Sequence, residues 1–147
     1  MNEMYVFVYG TLMRGHPNFR VMQRARGNYV SKAKIYNKDL YYAYSEGSFP
    51  ALVDGKGVVY GEVFRIPDYK LRLDTYTVGR PVRVLDGLEG YRKGDHRNSM
   101  YIRKRGIVHL IPSGKKIWAS YYHWNSVVDD RLKIVTGDYN YPKDWRE

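Results

Sequence analysis

The sequence predicts a single α+β domain, built as a small mixed β-barrel or curled sheet with a few short helices. Its 147 residues are close to the usual size of one domain, and a folded chain of this length buries about two-thirds of its unfolded surface. Apolar and aromatic runs of strand length outnumber stretches with helical periodicity. Sixteen tyrosines suit strands, amphipathic pockets or base stacking, and composition does not choose among these. Most of the regular structure is therefore expected to be β.

Strand signals dominate the first half of the chain. Residues 4–9 are β-branched and aromatic with little polarity, which predicts a buried strand that ends at Gly10. Further strands are predicted over residues 29–36, 40–44 and 58–66 from their valine, isoleucine and tyrosine content.

The connections between these strands follow from glycine and short polar runs. Residues 18–25 predict one or two helical turns, with Asn18 as the N-cap and Gly27 as the residue that closes the helix. The Asn-Lys-Asp run at 37–39 predicts a turn between two strands. The Gly-Lys-Gly run at 55–57 predicts a second turn that leads into the next strand.

The second half combines one helix with one hairpin. Residues 80–88 predict a helix in which Pro81 takes the first position, where its missing N–H would have no partner anyway, and Gly90 stops the helix. Residues 101–111 and 116–124 predict a hairpin around a Pro-Ser-Gly turn.

The chain divides into a main domain over residues 1–124 and a C-terminal helix or tail over residues 125–147 that packs on the same domain. Apolar residues at helical spacing predict a short helix over residues 126–135. Residues 68–79 have mixed character and are interpreted as a partial helix or an insertion. Three aromatic side chains are expected to hold the tail in place: Tyr139, Tyr141 and Trp145.

The composition excludes several classes of protein. There is no cysteine, which excludes disulfide scaffolds, cysteine nucleophiles and thiolate metal sites and is typical of a reducing compartment. No apolar run approaches the ~20 residues of a membrane helix, and no secretory signal is visible, so we expect a cytoplasmic protein without a membrane partner. The net charge of +10 attracts polyanions and anionic small molecules, although a solvated basic face is the simpler interpretation.

The first candidate for chemistry is the tight loop after the first strand, bounded by Gly10 and Gly15. Glycine lets a ligand approach the backbone closely, and successive N–H groups in such a loop bind an anion or an oxyanion. The loop is not a phosphate-binding P-loop, because no Gly-Lys-Ser/Thr follows. Taken alone, the pattern is more typical of an ordinary strand-to-loop turn.

The second candidate is Glu89, which continues the apolar face of the predicted helix beside Gly90. A carboxylate there is expected to be partly desolvated, and both desolvation and the helix C-terminus raise its pKa toward the range useful for proton transfer. An exposed glutamate at a helix end is the common alternative. Asp86 is interpreted as a surface or hydrogen-bonding residue, and Glu62 is the competing buried carboxylate.

Other chemistries lack support. The four histidines have no partners at metal-ligand spacing, so no metal site is predicted. No Gly-x-Ser-x-Gly motif is present, so no serine nucleophile is predicted either.

Taken in order, several blocks of the sequence resemble the gamma-glutamylcyclotransferase-like family, in its gamma-glutamylamine cyclotransferase or avirulence-induced-gene-like branch. The blocks cover most of the chain, and their order and spacing are more specific than any single block. They are VFVYGTL at 6–12, FPALV at 49–53, VYGEVF at 59–64, LDGLEGY at 85–91, YIR at 101–103 and ASYY at 119–122. The stretch 68–79 looks longer than the family's usual connection, which leaves the pocket rim open to change.

This resemblance implies an acyltransferase or lyase-type enzyme that needs no cofactor and no metal. The substrate's own α-amine attacks its γ-glutamyl carbonyl, releasing 5-oxoproline and a free amine such as that of a γ-glutamylamine. Glu89 is the implied general acid and base, and main-chain N–H groups of the glycine loop hold the carboxylate or the oxyanion. The hydroxyl of Thr11 is alternatively a local cap. The implied substrate-binding residues are Tyr9, Gly10, Thr11, Leu12, Pro50, Ala51, Leu52, Tyr101 and Tyr122.

Two other classes of function stay open. A non-catalytic small-ligand or interaction module on the same fold is favoured if residues 68–79 block the pocket. A nucleic-acid-binding domain requires basic and aromatic residues on one contiguous surface, and we rank it last. The enzyme with a small-molecule γ-glutamyl substrate ranks first because only it accounts for Glu89 and the glycine loop together. The sequence leaves open the released amine, any partner of the basic surface, and the oligomeric state, a homo-oligomer included.

Overall fold

In the residues that the computed structural model describes, 3–67, 81–92 and 94–142, the chain forms five β-strands and two short α-helices. The strands are β1 (Glu3–Val8), β2 (Asn28–Tyr42), β3 (Pro50–Pro67), β4 (Tyr101–Ile111) and β5 (Lys116–Trp124). The helices are α1 (Phe19–Arg24) and α2 (Val82–Glu89), and single 3-10 turns span His96–Asn98 and Asp130–Leu132.

The strands close into a mixed barrel in the order β1-β3-β2-β4-β5. Four of the five contacts between neighbouring strands are antiparallel, and β2 and β3 form the longest ladder. The barrel closes through a parallel contact between β1 and β5, where Val6 lies opposite Ser120. The predicted fold class is therefore confirmed, and the predicted hairpin corresponds to β4 and β5.

Alternating side chains along the strands build two separate cores. Phe7 and Tyr121 belong to a cluster that fills the barrel, whereas their chain neighbours Val8 and Tyr122 belong to a second cluster together with Leu85 of α2. Because successive residues of a strand point to opposite faces, the second cluster lies outside the barrel, under the two helices. The strands that lie under the helices, such as β1 and β5, therefore contribute side chains to both cores.

The two turns predicted within the β2–β3 region are wrong. Asn37 adopts φ 60° at a bulge inside the continuous strand β2. Residues 55–57 lie inside β3, where the Asp39 carboxylate accepts a hydrogen bond from the N–H of Gly57 at 3.0 Å. A methyl group on Gly57 would lie 3.1 Å from the carbonyl oxygen of Lys38. These glycines make room for Asp39 on the neighbouring strand rather than turning the chain.

The helix predicted over residues 126–135 is also wrong, since only Asp130–Leu132 forms a 3-10 turn. Val127 is 88% exposed, so its apolar side chain does not mark a packed helical face. Instead, the segment inserts Ile134 into the barrel core, and its N–H donates to the carbonyl of Leu40 at 2.8 Å. Long-range strand pairing therefore decides the path of this segment.

The aromatic side chains that were expected to hold the tail differ in their contacts. Tyr139 packs against Tyr42 with ring centroids 6.2 Å apart, whereas Tyr141 is 72% exposed. Trp145 and the predicted insertion at 68–79 lie outside the described residues. Among the helices that the structure describes, none is long and apolar enough to cross a bilayer.

Candidate active site

A cavity of about 200 Å³ opens between the loop after β1, the start of β3, the end of α2 and the β4–β5 hairpin. It brings together residues from six separate stretches of the chain. Eight of the ten sequence-predicted site residues line it, namely Tyr9, Gly10, Thr11, Leu12, Pro50, Glu89, Tyr101 and Tyr122. The other lining residues are Phe7, Val8, Asn18, Phe49, Leu88, Met100.

The glycine loop forms one wall of the cavity and packs directly on Pro50. A methyl group on Gly10 would collide with the Pro50 ring, lying 2.8 Å from its Cδ, so the close approach of these two segments requires glycine. The carbonyl of Gly10 accepts a hydrogen bond from the N–H of Met13 at 3.0 Å, which curls the loop. Among the hydrogen bonds of the described residues, none has the backbone N–H of Gly10, Thr11 or Leu12 as donor.

Two side chains hold this loop in shape. The Thr11 hydroxyl accepts a hydrogen bond from Asn18 Nδ2 at 3.0 Å, and the Asn18 N–H donates to the Thr11 carbonyl at 3.0 Å. The Thr11 hydroxyl is thus engaged locally, in line with the alternative interpretation of its role. Asn18 does occupy the predicted N-cap position of α1, but its side chain makes no cap hydrogen bond to the helix.

The competing carboxylate, Glu62, anchors the same loop from outside the cavity. Its two oxygens accept hydrogen bonds from the Arg14 backbone N–H at 2.8 Å and from Arg14 Nε at 3.1 Å. The Arg14 guanidinium also stacks 3.4 Å from the centroid of the Tyr29 ring. Glu62 is therefore a neutralised structural carboxylate, and it does not line the cavity.

Glu89 is the last residue of α2, and its side chain faces the cavity. Gly90 follows in the left-handed conformation with φ 64°, which ends the helix as the sequence predicts. Burial raises the pKa of Glu89 from its ordinary value of 4.5 to about 8, and the negative charge of Asp86 adds to the rise. The carboxyl is consequently poised to gain or lose a proton near neutral pH.

Asp86 lies behind Glu89, one helical turn earlier, and is buried rather than on the surface. Its Oδ1 accepts a hydrogen bond from the Tyr122 hydroxyl at 2.6 Å and pairs with Arg103 Nε at 3.1 Å. Burial raises the pKa of Asp86, while the Tyr122 hydroxyl and the Arg103 charge oppose that rise. Asp86 thus joins α2 to both strands of the hairpin.

The three cavity tyrosines are tied to the surrounding framework by their hydroxyl groups. Tyr9 donates to the Tyr122 carbonyl at 2.5 Å, and Tyr101 donates to the Pro50 carbonyl at 2.6 Å. Burial is the main cause that raises the pKa of Tyr9, Tyr101 and Tyr122 above the ordinary tyrosine value. All three are therefore neutral donors that hold the cavity wall rather than proton carriers.

Two predicted binding residues do not line the cavity. Ala51 is fully buried in the cluster under the helices, and Leu52 is fully buried in the barrel. Alternation along β3 turns their side chains into the two cores, so only the preceding Pro50 reaches the cavity. The backbone of Leu52 still contributes, because its hydrogen bond to the Tyr9 hydroxyl lowers the pKa of Tyr9 in part.

The cavity mouth is apolar and was largely missed by sequence reasoning. Leu88 and Met100 line the cavity and are also exposed, at 40% and 43%. Phe49 completes the rim and packs edge-to-face on Tyr44, with ring centroids 5.4 Å apart. Within the described part of the chain, none of the lining residues is Arg, Lys or His. Leu88 could have been found from its place beside Glu89 on the helix, and Phe49 from its place before Pro50.

Met100 carries no such signal, because a tertiary contact places it. Its N–H donates to the Gly90 carbonyl at 3.0 Å, which brings it against the end of α2. A methyl group on Gly90 would lie 3.2 Å from Met100 Cβ, so this contact is close. No local pattern in the sequence predicts this contact between Met100 and Gly90.

A cavity lined by a carboxyl group with a raised pKa and by a glycine loop defines a small-molecule site suited to proton transfer. The model of the family described as gamma-glutamyl cyclotransferase, AIG2-like, matches residues 6–146. The chain belongs to this family, which confirms the resemblance drawn from the sequence blocks.

Individual relatives match the chain over only part of its length. The chain is similar to the gamma-glutamylcyclotransferase family protein YtfP of Escherichia coli strain K12, at 37% identity over 68 residues. That stretch covers 46% of this chain and 56% of the relative, so the match spans about half the length of each.

Solved structures agree on the fold. A crystal structure of an aig2-like protein from Mus musculus superimposes with a TM-score of 0.66 at 23% identity, covering 90% of this chain and 83% of that one. A solution structure from Arabidopsis thaliana gives a TM-score of 0.63 at 19% identity, covering 99% of this chain and 72% of that one.

Proposed function

We propose that the protein converts γ-glutamyl amines into 5-oxoproline and a free amine. The substrate's α-amino nitrogen forms a bond to its own γ-carbonyl carbon, and the amide bond to the departing amine breaks. The α-ammonium loses two protons as its nitrogen becomes the lactam N–H. One is delivered to the departing nitrogen as the amide bond breaks, and the other protonates the released amine, so the reaction consumes no other reactant. The observation that carries this proposal is Glu89, a carboxyl with a pKa raised to about 8, in a cavity that the glycine loop at residues 10–12 also lines.

Ring closure within one molecule explains why no protein nucleophile is needed. The catalytic task is to hold the glutamyl part in a ring-closing shape, and well-oriented intramolecular reactions gain several kcal/mol in this way. The N–H groups of Gly10, Thr11 and Leu12 are donors without an acceptor among the described residues. They suit the α-carboxylate of the substrate or the oxyanion that develops at the γ-carbonyl.

Glu89 supplies the proton transfer that the cyclisation needs. In its ionised form it accepts a proton from the α-ammonium, and the resulting acid donates that proton to the departing amine. A carboxyl of ordinary pKa would be a poor acid for this second step near neutral pH. Burial and the negative charge of Asp86 raise the pKa of Glu89 to about 8, so that both its acid and its base form are accessible near neutral pH.

The mouth favours an apolar amine as the leaving group. A carboxylate attached next to the scissile nitrogen would face Leu88, Met100 and Phe49, and no cation among the described lining residues could pair with it. Burying an unpaired carboxylate is costly, whereas an alkyl or aryl chain gains from contact with these side chains. We therefore infer that γ-glutamyl alkylamides are better substrates than γ-glutamylglycine.

The test compares Glu89→Gln with the matched change Glu62→Gln, using γ-glutamylbutylamide and γ-glutamylglycine and chromatographic detection of 5-oxoproline. The wild type should release 5-oxoproline, faster from the butylamide. Glu89→Gln should lose about 10²- to 10⁴-fold in turnover, the usual share of general acid–base catalysis, while circular dichroism stays unchanged.

Glu62→Gln should retain most turnover, because Glu62 lies outside the cavity and Gln still accepts the Arg14 N–H. Wild-type turnover in the Glu89 variant would exclude the mechanism. Absence of 5-oxoproline from both substrates would exclude the function. Equal loss in both variants would leave no special role for position 89.

A further inference from the structure

A second surface of the barrel combines exposed aromatic rings with basic side chains. It lies on the outer side of four adjacent strands, in the order β3-β2-β4-β5. None of its members lines the cavity. We call it the convex β-face, and its defining residues are Lys34, Tyr36, Tyr60, Arg105, Lys116 and Trp118.

Strand register makes this face contiguous. Lys34 of β2 lies opposite Tyr60 of β3 on one side and opposite His109 of β4 on the other. His109 in turn lies opposite Lys116 of β5. Because directly paired residues share a face, one row of side chains crosses all four strands. The adjacent row includes Trp118, which pairs with Ile107.

The aromatic rings of the face are accessible and lie next to cations. Trp118 is 58% exposed and Tyr36 is 42% exposed. The Lys34 ammonium lies 5.3 Å from the Tyr36 ring centroid, and the Arg105 guanidinium carbon lies 5.8 Å from that of Trp118. The rings of Tyr36 and Trp118 are thus each paired with a positive charge that can meet a phosphate while the ring meets a base.

Carboxylates are absent from the same positions. The outward residues of segments 34–36, 58–60, 105–111 and 116–118, all within the described strands, include no Asp or Glu, and Glu62, which lies opposite Lys32 at the edge of the face, is paired with Arg14. The positive potential of this face is therefore not cancelled locally, and the chain as a whole carries +10. Like charge opposes the pairing of two such faces, which disfavours a second copy of this chain as the occupant.

We propose that the convex β-face binds single-stranded nucleic acid. Lys34, Arg105 and Lys116 would contact phosphates, and the rings of Tyr36 and Trp118 would stack on unpaired bases. Basic grooves with interleaved aromatic platforms bind single strands in this way, largely without sequence preference. In a duplex the bases are stacked inside the helix and are not available for stacking on these rings, so single strands should bind more tightly than duplexes.

The test is fluorescence anisotropy on the full chain with fluorescein-labelled oligo-uridine, oligo-thymidine and a duplex of equal length. Tight binding of either single strand over the duplex supports the proposal, and the ratio of the two identifies RNA or DNA as the preferred source. Trp118→Leu should weaken binding by about fivefold to 150-fold, the range for one stacked base. Trp118→Phe should keep most of the affinity and guards against a folding defect. Tyr141→Leu is the matched control, an exposed aromatic off the face.

A second pair of variants tests the phosphate contacts. Lys34→Gln with Arg105→Gln should make the slope of log K against log salt less negative by about 1.4, since each neutralised phosphate on a single strand contributes about 0.7. Arg20→Gln with Arg24→Gln removes the same charge from α1, off the face, and should leave the slope unchanged.

Three results would overturn the proposal. One is heparin binding as tight as oligonucleotide binding with no effect of Trp118→Leu, which would indicate a general polyanion surface. Another is equal loss in the control variants. The third is self-association of the wild type that Trp118→Leu abolishes, which would make a second copy the occupant. Release of 5-oxoproline should be unchanged in every face variant, so failure here is separable from failure of the cyclotransferase function.

Discussion

The raised pKa of Glu89 predicts that Glu89→Gln stabilises the protein in a pH-dependent way. Between pH 4.5 and about 8 the folded state holds a proton on Glu89 that the unfolded state has released. The unfolding free energy of the wild type therefore falls as pH rises through this window, by about 1.4 kcal/mol per pH unit for one proton. Gln has no proton to release, so the variant escapes this loss.

The accumulated difference reaches an upper limit of ~5 kcal/mol above pH 8, and partial solvent access through the cavity lowers it toward about 3 kcal/mol. Urea unfolding of wild type and Glu89→Gln at pH 5, 7 and 9 measures it, and subtraction at each pH cancels the other titrating groups. The variant should gain on the wild type steadily from pH 5 to pH 9. Parallel stability curves would refute the reasoning, because they would mean that Glu89 ionises as easily folded as unfolded.

Two further predictions follow from neighbouring residues. Asp86→Asn should move the lower inflection of the kcat/KM–pH profile toward acid by up to about 1.5 pH units. The shift is limited because the variant removes only the Asp86 charge, while burial remains the larger cause of the raised pKa of Glu89. An unmoved inflection would contradict this prediction. Gly10→Ala should lower the unfolding free energy by about 1–3 kcal/mol, because the added methyl group collides with Pro50. Gly87→Ala should raise it by about 0.5–1 kcal/mol, because an added Cβ there meets open space. Both changes are read from urea midpoints at unchanged m.

Features with local causes were predictable from the sequence. The hairpin of β4 and β5 and the left-handed Gly90 after α2 both follow from patterns within a few residues. The turn expected at 55–57 fails because its glycines serve Asp39, a residue on the neighbouring strand. Local composition cannot distinguish a glycine that turns the chain from one that makes room for a distant carboxylate.

The candidate site shows the same division. Glu89 and the loop at Gly10 were singled out from neighbours in sequence, and the structure places both at one cavity. Sequence reasoning could not separate Glu89 from Glu62, because both lie among apolar residues. Only the fold brings Arg14 to Glu62 and leaves the carboxyl of Glu89 without a cation among the described lining residues.

The absence of a cation beside Glu89 matters for catalysis, because the chain carries a net charge of +10. A guanidinium beside Glu89 would stabilise its ionised form and draw its pKa back toward the ordinary value, which would remove its capacity to return a proton to the departing amine. Two arginines near the cavity are each paired with a carboxylate that does not line it, Arg14 with Glu62 and Arg103 with Asp86. Asp86 therefore acts twice, because it neutralises Arg103 and places its own negative charge behind Glu89. Among the described residues that line the cavity, Glu89 therefore keeps a pKa raised to about 8 with no Arg, Lys or His beside it.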